Sequence, residues 1–220
     1  MGLIQRNGIE QPWQADTEDT FIVSKMRSAG LIIIGHSKMT QRGFSPIGYN
    51  PSKFNGTTRN PINTDYYPGG SSSGTAACIA SGLVPFGIGT DGGGSIRIPS
   101  SWSGISGLKT TTGRCSLRNC RLSSPLCVTG PMAASTLDLA ILYKIISGPD
   151  PEWPLGLNQN KVLIPNFTSL PTKVKVGVDW TWAKQSDQAV FDNFKKSLDS
   201  LPDMYEVVDI TIPGSDYRLD

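Results

Sequence analysis

The run Leu31-Ile32-Ile33-Ile34 begins directly after Gly30, which closes a helix-patterned stretch opening at Asp16 or Thr17. A short, continuous apolar run in that place reads as a strand buried on both faces, the habit of parallel sheets covered by helices. The pattern then repeats. Ser73–Ser81 reads as a short helix of small residues ended by Gly82, and Val84–Ile88 reads as the next buried strand. Ser135 or Thr136 caps a helix with Leu137, Leu139, Ala140, Leu142 and Ile145 on its apolar side, stopped by Gly148-Pro149. Beyond a Pro-rich connector at 149–172 come a strand (Val174–Val178), a helix (about Asp187–Leu201) and a strand (Val207–Ile212). Strands alternating with helices predict an α/β fold, a mixed twisted sheet layered by helices.

Composition narrows the function. Charged residues make up 17% of the chain, below the roughly 25% of an average soluble domain. Twenty Lys and Arg against 18 Asp and Glu leave a net charge of +2 with no basic stripe, which argues against a nucleic-acid partner. No run approaches the length of a membrane span and no signal-like leader opens the sequence, so no membrane segment and a cytoplasmic location are expected. The cysteines at 78, 115, 120 and 127 lack zinc-site spacing, and the lone histidine, His36, lies far upstream. Ordinary thiols, with no metal and no organic cofactor, are the expectation.

Two motifs fail their context tests. Gly70-Ser71-Ser72-Ser73-Gly74 fits a nucleophile elbow, but no histidine follows to complete that triad. Gly87-Ile88-Gly89-Thr90-Asp91-Gly92 fits the dinucleotide fingerprint, which needs a helix opening at its third glycine. Gly93-Gly94-Ser95 and Pro99 are expected to prevent a regular helix there.

What remains is a pair of Gly/Ser clusters, Pro68–Gly74 and Gly89–Arg97. Each alone reads as a turn. Together they border elements of an α/β layer, where a glycine run lets several amides point into one concavity that holds an anion. A serine beside such a nest has an oxyanion hole in place and lacks only a base.

With these clusters, Met26–Gly35, Thr58-Arg59-Asn60-Pro61, Gly107-Leu108-Lys109 and Gly130-Pro131-Met132 form a co-linear series from about residue 25 to 149 that resembles the amidase-signature serine hydrolases. The resemblance implies a single partial domain over 1–220, cut at both ends, and hydrolysis of a small-molecule carboxylic amide through an acyl-serine. It implies Ser95 as nucleophile, Ser71 as a relay serine behind a cis peptide, and Ser72 as its hydrogen-bonding helper. The amides of Gly92, Gly93, Gly94 and Ser95 are implied as the oxyanion hole, with Asp91 and Arg97 bracing the loop. Gly48-Tyr49-Asn50-Pro51, Gly92-Gly93-Gly94-Ser95 and Ile98-Pro99-Ser100 look most like the fatty-acid-amide-hydrolase-like branch of plants and fungi.

The family's third group, a lysine base, lies farther upstream of the first serine motif than the residues before Ser71 allow. Lys25 reads as solvated on an amphipathic helix, Lys109 belongs to the Gly-Leu-Lys element, and Lys38 follows the apolar run. The chain alone is therefore expected to turn over amides poorly. The alternatives are a non-catalytic remnant and an amidotransferase subunit of the same family.

Overall fold

The computed structural model describes residues 4, 6–10, 14–121, 124–156, 160, 162 and 172–213. The chain divides into two compact units, Met1–Ile164 and Pro165–Asp220. Most of the second half of the expected connector, 157–159, 161 and 163–171, lies outside the described residues.

In the first unit, α1 spans Phe21–Ser28. It starts later than expected because Thr20, not Asp16 or Thr17, is the cap, its hydroxyl accepting from the Val23 amide at 3.4 Å. Gly30 at φ +84° ends it: its amide donates to Arg27 O and that of Leu31 to Met26 O, which satisfies the last carbonyls. Helix α2, Ser73–Ala80, ends the same way at Gly82.

Leu31–Ile34 forms no strand. Leu31 and Ile33 are half-buried against the core formed by Ile22, Met26, Cys115, Leu142 and Ile146, whereas Ile32 and Ile34 are 88% and 76% exposed. Only one face of the run is buried, because no neighbouring strand pairs with it among the described residues. The second expected strand exists but is shifted. Strand β1 covers Phe86–Asp91, and Pro85, which has no N–H to donate, stands outside it.

Strand β1 is also not parallel. It pairs antiparallel with β3, Val128–Ala133, in register from Phe86↔Ala133 to Asp91↔Val128. Strand β3 is buried along its length and central, with the two-residue β2 (Ser106–Gly107) on its other side. Pro131 in that central strand cannot donate; its carbonyl still accepts from the Leu108 amide at 3.1 Å. The outer edge of β1 is covered by hydroxyls of the α2 end, Thr75 Oγ1 donating to Ile88 O at 3.1 Å and Ser72 Oγ to Thr90 O at 3.5 Å.

No helix opens at Gly92, as expected; one begins only beyond the Gly-rich loop, and Pro99 does not prevent it. Helix α3 spans Arg97–Ser103 with Pro99 in its first turn, where a missing N–H costs nothing. It opens five residues after Gly92, so the dinucleotide fingerprint still lacks its helix. A second cluster, Ala76, Ile79, Ile96 and Met132, packs α2 and the start of α3 on β3.

Helix α4, Thr136–Ile146, is capped by Ser135, whose hydroxyl accepts from the Asp138 amide at 3.1 Å. Leu142 and Ile146 form its buried stripe, while Leu137 is half exposed. Lys25 is not simply solvated: its ammonium donates to the carbonyl of Ser147, the C-cap of α4, and so ties α1 to the negative end of that helix.

After α4, buried Asp150 accepts from Ser116 Oγ at 2.6 Å and Arg118 Nε at 2.9 Å, fastening the 116–118 loop. Arg118→Ala leaves a buried carboxylate without its cation. Discounted for the partial exposure of Arg118, the expected loss is about 2 kcal/mol, read as a lowered urea midpoint, with Arg118→Lys recovering part of it.

The second unit, considered by itself, is a strand–helix–strand crossover. Strands β4 (Val174–Val178) and β5 (Tyr205–Asp209) pair in parallel, which requires the crossover that α5 (Trp180–Ala183) and α6 (Gln188–Asp199) supply. Strand β5 begins two residues before the expected Val207. Asp179 accepts from the amides of Trp182 and Ile212, fixing the segment beyond β5, and Trp180 packs edge-on against Phe191 and Phe194.

Candidate active site

Helix α2 and the loop after β1 bring the two Gly/Ser clusters together. The Ser71 carbonyl accepts from the Thr40 amide at 3.2 Å, and the Gly70 amide donates to Pro46 O at 2.6 Å. The Gly70–Ser71 peptide is cis, the form the resemblance assigns to this serine. Ser71, Ser72 and Ser73 are all buried. The link to the second cluster is a backbone one: the Ser72 amide donates to the Ser95 carbonyl at 3.2 Å. The hydroxyls of Ser71 and Ser95 make no direct hydrogen bond to each other.

Asp91, the last residue of β1, is fully buried and organises the loop beyond the strand. Its carboxylate accepts from the amides of Gly94 (2.7 Å), Ile96 (3.1 Å) and Arg97 (3.3 Å). The Arg97 side chain adds Nε and Nη2 bonds, each 3.0 Å. Burial pushes the Asp91 carboxyl up, but the Arg97 guanidinium and the three amides outweigh it and hold the group at about 2. Arg97 is itself half exposed and raised by the same pairing. Gly94 sits at φ +120° with the Ile98 side chain against it, a place for glycine alone.

This geometry alters the nest. The Gly94 amide is committed to the Asp91 carboxylate, which removes Gly94 from the expected oxyanion donors. The amides of Gly92, Gly93 and Ser95 carry no such bond, and Gly92 and Gly93 are exposed beside half-buried Ser95. Ser72 contributes its amide to the Ser95 loop, while its hydroxyl goes to β1.

Neither Lys38 nor Lys109 hydrogen-bonds to the serines. The Lys38 ammonium lies near Gly56, and Lys109 donates to Thr110 O at 3.4 Å. Cys115 is a buried core thiol, pushed up to about 12 by that burial. Sequence reasoning missed the strip at 38–40 that flanks Ser71 and the turn at 124–127 that touches Gly92. The second was recoverable only by reading Gly130-Pro131-Met132 as a strand registered on β1.

Fold and site thus describe an α/β scaffold that presents a serine beside a nest of free amides. The chain belongs to the amidase family, whose model matches residues 12–220. It is 37% identical over 210 residues to a fatty acid amide hydrolase of Oryza sativa subsp. indica, covering 89% of this chain and 33% of that protein. It is 44% identical over 133 residues to the A subunit of a glutamyl-tRNA(Gln) amidotransferase of Cupriavidus pinatubonensis, covering 60% of this chain and 26% of that one. Among solved structures, the A subunit of the glutamyl-tRNA(Gln) amidotransferase of Thermotoga maritima superposes with a TM-score of 0.80 at 30% identity, covering 89% of this chain and 44% of that chain. The chain therefore spans about a third of the length of the fatty acid amide hydrolases it matches. No helix among the described residues is long and apolar enough to cross a membrane.

Proposed function

We propose that residues 1–220 are part of one amide-hydrolase domain that cleaves carboxylic amides through an acyl-serine at Ser95. The observation that carries this is the Ser72 amide bound to the Ser95 carbonyl, which joins the two clusters, with Asp91 clamping the loop so that three other amides stay free. Ser95 Oγ attacks the amide carbon, and the Gly93 and Ser95 amides, with Gly92 beside them, hold the oxyanion. Collapse breaks the C–N bond, and Ser71 passes the proton from Ser95 to the leaving amine. Water then releases the acid. The resemblance assigns the base to a lysine upstream of the first serine motif.

The test is reaction with an alkyl fluorophosphonate, followed by intact-mass and peptide mass spectrometry. Ser95 Oγ displaces fluoride at phosphorus, giving one adduct, on Ser95, absent in Ser95→Ala. An adduct elsewhere, or one that survives Ser95→Ala, overturns the assignment. An amidotransferase reading of the same site draws on the A-subunit relative, 44% identical over 133 residues. Turnover of glutamine in preference to long-chain acyl amides, once an upstream segment is joined to the chain, would select it.

A further inference from the structure

The nest has two arms, and Asp91 accounts for one. It clamps Gly94 and the amides of Ile96 and Arg97, but makes no bond to Gly92 or Gly93. Around Gly93, a side chain would meet nothing within 4 Å. Around Gly92, the three nearest atoms in the side-chain direction all come from one turn: Cys127 Sγ at 2.9 Å from an ideal Cβ, then Cys127 Cα and Leu126 O, each at 3.9 Å. The β1–β3 register explains the meeting, since Asp91 is paired with Val128 and the next residues outward are Gly92 and Cys127. The turn is itself locked, with the Cys127 amide donating to Ser124 O at 3.0 Å and the Leu126 amide to Ser124 Oγ at 3.3 Å. Pro125 stiffens it further.

We infer that the turn Ser124–Cys127 is the second brace of the amide nest, with Cys127 a positioning residue that acts through Gly92. The inference deepens the hydrolase reading and rests on it for its catalytic meaning. The thiol fills the space a side chain at 92 would take, so the Gly92–Gly93 arm rests on sulfur as the other arm rests on the Asp91 carboxylate. Bulk added to that sulfur displaces the arm and misaims its amides, while the Asp91-clamped arm stays in place.

The experiment uses the whole 220-residue chain carrying Cys78→Ser and Cys120→Ser, so that Cys127 is the reactive thiol and Cys115 stays buried. N-ethylmaleimide is added; the Cys127 sulfur bonds to one alkene carbon and the other takes a proton. In a ¹⁵N-glycine spectrum, the Gly92 and Gly93 amides shift and that of Gly94 does not. Phosphonylation of Ser95 slows at least tenfold, and Cys127→Ala abolishes the maleimide effect. Unmoved Gly92 and Gly93 resonances overturn the brace, as does equal movement of Gly94, which marks general unfolding. If Ser95 takes no phosphonate even before alkylation, the nucleophile assignment fails and the glycine spectrum still decides the role of the turn.

Discussion

Asp91→Ala should cost about 4 kcal/mol, on the order of half the stability of an ordinary domain, and should abolish phosphonylation of Ser95. Asp91 is fully buried and takes five hydrogen bonds, three from backbone amides that have no other partner. Removing it strands those amides and leaves Arg97 without its carboxylate, and a buried donor left unmade costs more than the bond contributed. Asp91→Asn separates charge from shape: it keeps the side-chain outline but accepts through one oxygen, so a smaller loss is expected. Urea melts of the two variants give the comparison. A loss under about 1 kcal/mol for the alanine variant would mean that the loop holds itself.

The same carboxylate sets an acid limit. Its folded value of about 2 lies below the ordinary 3.8. A depressed folded value makes the stabilisation fully present above pH about 4 and removes it as pH falls through about 2, a span of roughly 2 kcal/mol. Wild type should therefore lose stability across that window, and Asp91→Asn should lose less.

The elements that the sequence made legible are those whose cause is local. Gly30 and Gly82 end helices because both sit at positive φ, and Ser135 caps α4 because a hydroxyl precedes a helix-patterned run. Pairing was not local. Strand β3 was visible only as the Gly130-Pro131-Met132 motif, because a proline inside a strand masks the usual signal and its burial comes from neighbours on both sides. Leu31–Ile34 shows the opposite error: the run is apolar on both faces, but burial on two faces depends on partners elsewhere in space. At the site, residue types pointed to the Gly/Ser loops, and the family resemblance to Asp91. The direction of each amide did not follow from type, which is why Gly94 had to be removed from the donors.

Gly74→Ala should destabilise the first unit by about 3 kcal/mol, although alanine is the better helix former by about 1 kcal/mol. Gly74 is the second residue of α2, with an ordinary helical backbone, so intrinsic propensity argues for a gain. Space decides against it. A Cβ there would stand 2.5 Å from both the amide nitrogen and the carbonyl oxygen of Lys38, and 3.0 Å from its Cα. These are backbone atoms, and they cannot rotate away. The strip they belong to is fastened on either side, by the Gly74 amide to Lys38 O at 2.8 Å and by the Thr40 amide to Ser71 O at 3.2 Å. Relief therefore means moving residues 38–40 off the helix, which breaks both bonds and releases the carbonyl side of Ser71. For a unit of this size the thermal midpoint should fall by roughly 10 °C, and the Ser95 adduct should form more slowly because Ser72, next in the chain, holds the Ser95 loop. Gly35→Ala is the control, since a Cβ there meets nothing within 4 Å and should leave the midpoint unchanged. Equal midpoints for the two variants would show that the 38–40 strip yields freely and does not position Ser71.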